Sequence, residues 1–96
     1  MQRVFREGRA IHGDRVVVFV ATGSGDVATV AGGRVGGAVA RNRARRVMRA
    51  ALAEVLPSGL PERDVVVVAR SAISGSRMPQ VATELRRLLE LEPTPA

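Results

Sequence analysis

The sequence predicts a small α+β domain, and three observations carry that expectation. Val16-Val17-Val18-Phe19-Val20 and Val65-Val66-Val67-Val68-Ala69 are β-branched apolar runs that read as strands. The arginine-rich stretch between them has helical periodicity, and so does the leucine stripe near the C-terminus. With 96 residues, the chain has length for one modest core and no second domain. We therefore expect one domain over residues 1–91, a small α/β sandwich in the order α-β-β-(β)-α-β-α, with residues 92–96 as a frayed tail.

From the N-terminus, Gln2 to Arg6 reads as the end of a short helix stopped by Gly8. In the first strand, alternation puts Val17 and Phe19 on one face and Val16, Val18 and Val20 on the other. Thr22-Gly23-Ser24-Gly25 is turn chemistry, so Val27 to Ala31 is expected to return as the hairpin partner of that strand. A third short strand has room in the same half. Gly36-Gly37 then breaks the chain before the arginine helix, and Pro57, Gly59 and Pro61 mark the loop after it. Asp64 opens the second valine run, whose unbroken apolarity suits a strand buried on both faces. Pro79 is acceptable in a first helical turn, and Val81, Leu85, Leu88 and Leu89 form a stripe that core packing explains.

Charge narrows the partner. All fifteen basic residues are arginine, the net charge is +6 and the sequence pI is about 11.7. Arginine offers a flat fork that grips phosphate bidentately or stacks on a base. Residues 1–50 hold ten arginines against Glu7, Asp14 and Asp26, whereas residues 51–96 hold five against six acids, so the cationic surface belongs to the first half. Five arginines fall within the nine residues Arg41 to Arg49. At about 100° per residue, Arg41, Arg45, Arg46 and Arg49 sweep one side of a helix while Ala40, Ala44, Val47, Met48, Ala51 and Val55 gather on the other. Like charges four apart destabilise an isolated helix by a few tenths of a kcal/mol per pair, and a polyanion relieves that repulsion.

Other classes fall away. The sequence has no cysteine, hence no disulfide framework, thiolate metal site or Cys nucleophile. His12 is the single histidine and reads as a surface or loop residue. Glu7, Asp14, Asp26, Glu54, Glu62 and Asp64 lack the spacing of a metal-dependent nuclease. No apolar run reaches the ~18–20 residues of a membrane span, no signal peptide is visible, and alanine rather than large apolar anchors flanks the arginines. We expect a cytoplasmic protein that binds neither membrane nor DNA, since no helix-turn-helix or dimer heptad accompanies the helix. Structured RNA is the preferred partner, through a specific ribonucleoprotein or as a general RNA-binding or RNA-chaperone module.

The stretch Val35-Gly36-Gly37-Ala38-Val39-Ala40-Arg41-Asn42-Arg43-Ala44-Arg45-Arg46-Val47-Met48-Arg49 resembles the signature of the bacterial ribonuclease P protein subunit: a glycine turn, Arg-Asn-Arg, a basic pair, then another arginine. Gln2 to Gly8 is similar to that family's first helix, Arg15 to Val20 to its first strand, and Asp64 to Arg70 to the strand after the arginine helix. The resemblance implies an accessory subunit of an endoribonuclease that removes the 5′ leader of precursor tRNA, with no catalytic side chain in the protein. Its partners would be the ribonuclease P RNA, which carries the chemistry and holds most of the Mg²⁺, and precursor tRNA. It further implies that Arg41, Asn42, Arg43, Arg45, Arg46 and Arg49 contact that RNA, with Asn42 bracing the arginines beside it. Phe5, Val17 and Phe19 would wall a cleft for the single-stranded leader. The arginine helix would join parallel neighbouring strands by a left-handed crossover. Gly32-Gly33-Arg34 stands where the family has Ser-Lys-Lys, leaving Arg34 as the RNA-binding cation there. Met1 stands where the family usually has Phe, and no basic arm precedes it, which implies a shortened first helix or a displaced start.

Overall fold

The computed structural model describes residues 2–90, with side chains from Val4 onward; the expectations for Met1 and for the 92–96 tail lie outside the described residues. In chain order come α1 (Gln2–Glu7), β1 (Arg9–His12), β2 (Val16–Thr22), β3 (Val27–Val30), α2 (Ala38–Val55), β4 (Arg63–Ala69) and α3 (Met78–Glu90). Short 3-10 turns at Gly33–Val35 and Ser71–Ile73 precede α2 and α3. The order α-β-β-β-α-β-α realises the expected one, with the third strand present.

The four strands form one mixed sheet in the order β1-β2-β4-β3. β2 pairs antiparallel with both β1 and β4, and β3 pairs parallel with β4. The expected hairpin between Val16–Val20 and Val27–Ala31 is therefore wrong, because β4 is inserted between those strands. The cause lies in Asp64. Its buried carboxylate accepts the Ser24 and Asp26 backbone N–H groups at 3.1 and 3.0 Å. The Gly-Ser-Gly turn thus folds onto the start of β4 instead of closing a two-strand ribbon, and Val65 N–H donates to Asp26 C=O at 2.8 Å. Val65, Val66 and Val67 are fully buried and Val68 half-buried, as suits a central strand.

The same hydrogen bond fixes the hand of the connection. Val65 packs in the core against α2 and α3. Viewed from that side with β4 running upward, an L-residue whose side chain faces the viewer directs its N–H and C=O to the right. β3 therefore lies to the right of β4, and a chain that leaves β3, passes in front as α2 and returns to β4 moves leftward. The crossover is left-handed, against a rule obeyed in about 98% of such units.

Two clusters fill the two faces. Val16, Val18, Val20, Val65 and Val67 meet Ala44, Met48, Ala51 and Leu52 of α2 and Val81, Leu85, Leu88 and Leu89 of α3. On the opposite face Val4 of α1 joins Ala21 and Val66, with Phe19, Ala28 and Val68 alongside. Among the described residues only α1 covers this second face, and only at one end. Gly8 ends α1 as expected: a Cβ there would collide with Val4 C=O, and its N–H closes the helix on that carbonyl at 2.8 Å.

Candidate RNA interface

Gly36 adopts φ 138°, a conformation that favours glycine, and turns the chain into α2, whose N-cap Gly37 makes no side-chain capping bond. The 18 residues of α2 span about 27 Å. Ala44, Met48, Ala51 and Leu52 are buried, which leaves Asn42, Arg43, Arg46 and Arg49 exposed and Arg41 and Arg45 half-exposed at the flank. The cationic face predicted from periodicity is thus continuous and turned away from the sheet. Asn42 does brace an arginine, but it is Arg45, one turn on, whose guanidinium donates to the Asn42 side-chain carbonyl. Arg49 reaches the β3 side of the helix, beside Ala28 and Thr29. Arg43 faces the opposite side, toward Ile73 and Ser74. Val39, in the first turn of the same outer surface, is 83% exposed.

On the far side of the sheet, register builds a second surface. Cross-strand partners share a face, so Ala10, Phe19, Val66 and Ala28 form one row, and His12, Val17, Val68 and Val30 the next. Phe5, 39% exposed within α1, meets Phe19 edge-on, with ring centroids 4.8 Å apart and planes at 81°. Phe5, Phe19 and Val17, expected to line one cleft, therefore share one open apolar surface. Arg34, in the 3-10 turn after β3, comes to Val17 at the far end of this surface from α1.

Sequence reasoning missed Glu84. Its carboxylate, 4% exposed, accepts the backbone N–H groups of Arg15 and Val16 at 2.9 and 3.1 Å and pairs with the Arg15 guanidinium at 3.1 Å. The signal was an acid on the apolar stripe of α3, three residues after Val81 and next to Leu85. The clamp holds the β1–β2 turn to α3 and so fixes where β2 begins. Among the described residues no group of three or more His, Cys, Asp or Glu could hold a metal ion, and no helix is long and apolar enough to cross a membrane.

Comparison with known proteins agrees with this architecture. The family model described as Ribonuclease P matches residues 1–91. The ribonuclease P protein component of Acidothermus cellulolyticus is 36% identical over 91 residues, covering 90% of this chain and 76% of that protein. That of Roseiflexus castenholzii is 34% identical over 93 residues, covering 93% and 76%. The RNase P protein of Staphylococcus aureus superposes with a TM-score of 0.78 at 22% identity, covering 94% of this chain and 85% of that one. For the Thermotoga maritima RNase P protein the TM-score is 0.75 at 24% identity, with coverage of 95% and 89%. With its family signature on α2, its mixed four-stranded sheet and relatives matched across most of their length, this chain belongs to the ribonuclease P protein family.

Proposed function

We propose that this chain is the protein subunit of a ribonuclease P, binding the catalytic RNA through the outer face of α2 and the 5′ leader of precursor tRNA on the open face of the sheet. The observation that carries this reading is the separation of the two surfaces. Six residues of α2, Arg41, Asn42, Arg43, Arg45, Arg46 and Arg49, present five guanidiniums on one side of the sheet. Phe5, Phe19 and Val17 present apolar and stacking surface on the other. One small domain can thus touch two polyanions at once and lower the repulsion between them. Among the described residues the carboxylates offer no cluster that fits a catalytic metal, and the reading gives cleavage and its Mg²⁺ to the RNA and gives this chain binding and charge neutralisation.

The test compares the holoenzyme's affinity for precursor tRNA with that for mature tRNA, two ligands that differ only in the leader. Phe19→Ala should weaken precursor binding by about 5- to 150-fold, the equivalent of removing one base stack of about 1–3 kcal/mol, and leave mature tRNA binding unchanged. Equal losses for both ligands would remove the leader from this face.

A further inference from the structure

β3 is an outer strand: it pairs with β4 on one side, and among the described residues no strand pairs with the other. The register shows which groups are left on that free edge. Val65 lies opposite Val27 and its N–H donates to Asp26 C=O, so Asp26 and Ala28 turn their backbone groups to β4 while Val27 and Thr29 turn theirs outward. Edge strands are commonly guarded by charge or proline. β1, the opposite edge, carries Arg9 and His12, whereas Val27-Ala28-Thr29-Val30 has neither charge nor proline, and Val27 and Val30 are each 37% exposed.

A groove of about 750 Å³ runs beside this edge, between β3 and the second half of α2. Val27 and Thr29 face it from the strand, since they pair with the core residues Val65 and Val67 and share their side of the sheet. Leu52, Ala53 and Leu56 face it from the helix, and the Pro57-Ser58-Gly59 loop closes one end. Arg49 carries the only charge among the lining residues. It stands about 4.5 and 10.5 Å along α2 from Leu52 and Leu56, distances that bracket the step of about 6.8 Å between residues i and i+2 of a strand.

These features suit an extended peptide better than a nucleic acid. The free N–H and C=O groups of a strand edge are matched by the main chain of another strand, and an apolar notch beside them takes its alternate side chains. An RNA strand along this groove would set several phosphates beside one cation. The last turn of α2 holds no basic residue and ends in carbonyls that carry partial negative charge. A single guanidinium at the rim complements a single carboxylate.

We propose that the outer edge of β3 and this groove dock an extended acidic segment of a partner protein as a fifth strand. The N–H and C=O groups of Val27 and Thr29 bond to its main chain, a large apolar side chain sits against Leu52 and Leu56, and a carboxylate two residues away pairs with Arg49. The inference does not rest on the RNA reading, but it meets that reading at one residue. Arg49 also belongs to the cationic face of α2, so the segment and an RNA held by that face would lower each other's affinity by the same factor.

The test pans random heptapeptides displayed on phage against the full chain without RNA, and measures the selected peptides as synthetic ligands. Selected sequences should hold Leu, Ile or Phe two residues from Asp or Glu, and binding should shift and protect the Val27 and Thr29 amides in the NMR spectrum of isotope-labelled protein. N-methylation of the peptide should weaken binding about two- to tenfold at each residue facing β3 and little at the residues between, as expected for main-chain bonds lost one at a time. Arg49→Glu should weaken an acidic peptide about tenfold and favour the same peptide with Lys in place of its acid, which separates pairing at Arg49 from loss of fold. No peptide selected, peptides without that spacing, or amide shifts centred away from β3 would overturn the proposal. A chain that sediments as a dimer, with the Val27 and Thr29 amides protected before any peptide is added, would place a second copy on this edge and overturn it equally.

Discussion

Glu84 illustrates how a single carboxylate fixes a surface it does not belong to. Two backbone N–H groups and one guanidinium end on it, and a Cβ at Gly13 would fall 2.5 Å from its Oε2, so the turn and the acid are fitted to each other. Glu84→Ala strands those donors, and we expect a destabilisation of about 2–6 kcal/mol from two unsatisfied amides at about 1–3 kcal/mol each. Urea unfolding should show it as a lower midpoint with unchanged slope; a change below about 1 kcal/mol would mean that water replaces the acid freely. Phe19 poses a different question, because it is half-buried beside Val4 and Ala21 as well as facing the cleft. Phe19→Leu separates the roles: it keeps most apolar volume, so stability should change by less than about 1.5 kcal/mol, while precursor affinity falls nearly as far as with Ala. Phe5→Ala should weaken precursor binding less, since its ring meets Phe19 by its edge. At this scale the sequence was legible wherever alternation settled a face, as at Val17 and Phe19. It was silent on Glu84, because one acid in a leucine stripe shows that a partner must exist without naming it.

At the scale of elements, helices were easier to read than strand neighbours. Periodicity placed the apolar and cationic sides of α2 and the stripe of α3 because those patterns are local. β1 went unread: of its four residues only Ile11 is buried, too short an alternation to distinguish from loop. The turn between β2 and β3 was recognised, yet the hairpin inferred from it was wrong, since the carboxylate that captures the turn lies 38 to 40 residues away. The parallel pairing of β3 with β4 followed from the family resemblance and not from composition. On the proposed function, the salt dependence of RNA binding belongs to α2. Arg45→Ala and Arg49→Ala should each weaken binding to the catalytic RNA and flatten the dependence of log affinity on log salt by about 0.7–0.9 for every phosphate no longer neutralised. Thermal unfolding should be nearly unchanged, because neither side chain enters the core. Arg45→Ala also removes the Asn42 brace, so it should cost at least as much as Arg46→Ala. A slope that stays the same in both variants would mean that α2 does not touch the phosphates.

On the scale of the whole molecule, a left-handed crossover puts the arginine helix on one side of a single sheet and leaves the other side open from α1 to Arg34 and Arg70. Arg34 and the arginines of α2 thereby lie on different surfaces, which the linear sequence presents as one basic half. On the proposed function, a protein of this shape would contribute most where repulsion between two RNAs is least screened. The most direct measurement is cleavage of a leader-bearing precursor tRNA by a bacterial ribonuclease P RNA, with and without this protein, across Mg²⁺ concentrations. Stimulation should be largest at low Mg²⁺ and shrink as added cations take over the screening, and the protein alone should cleave nothing. Stimulation absent at every Mg²⁺ concentration, or cleavage by the protein without RNA, would contradict this division of labour between protein and RNA.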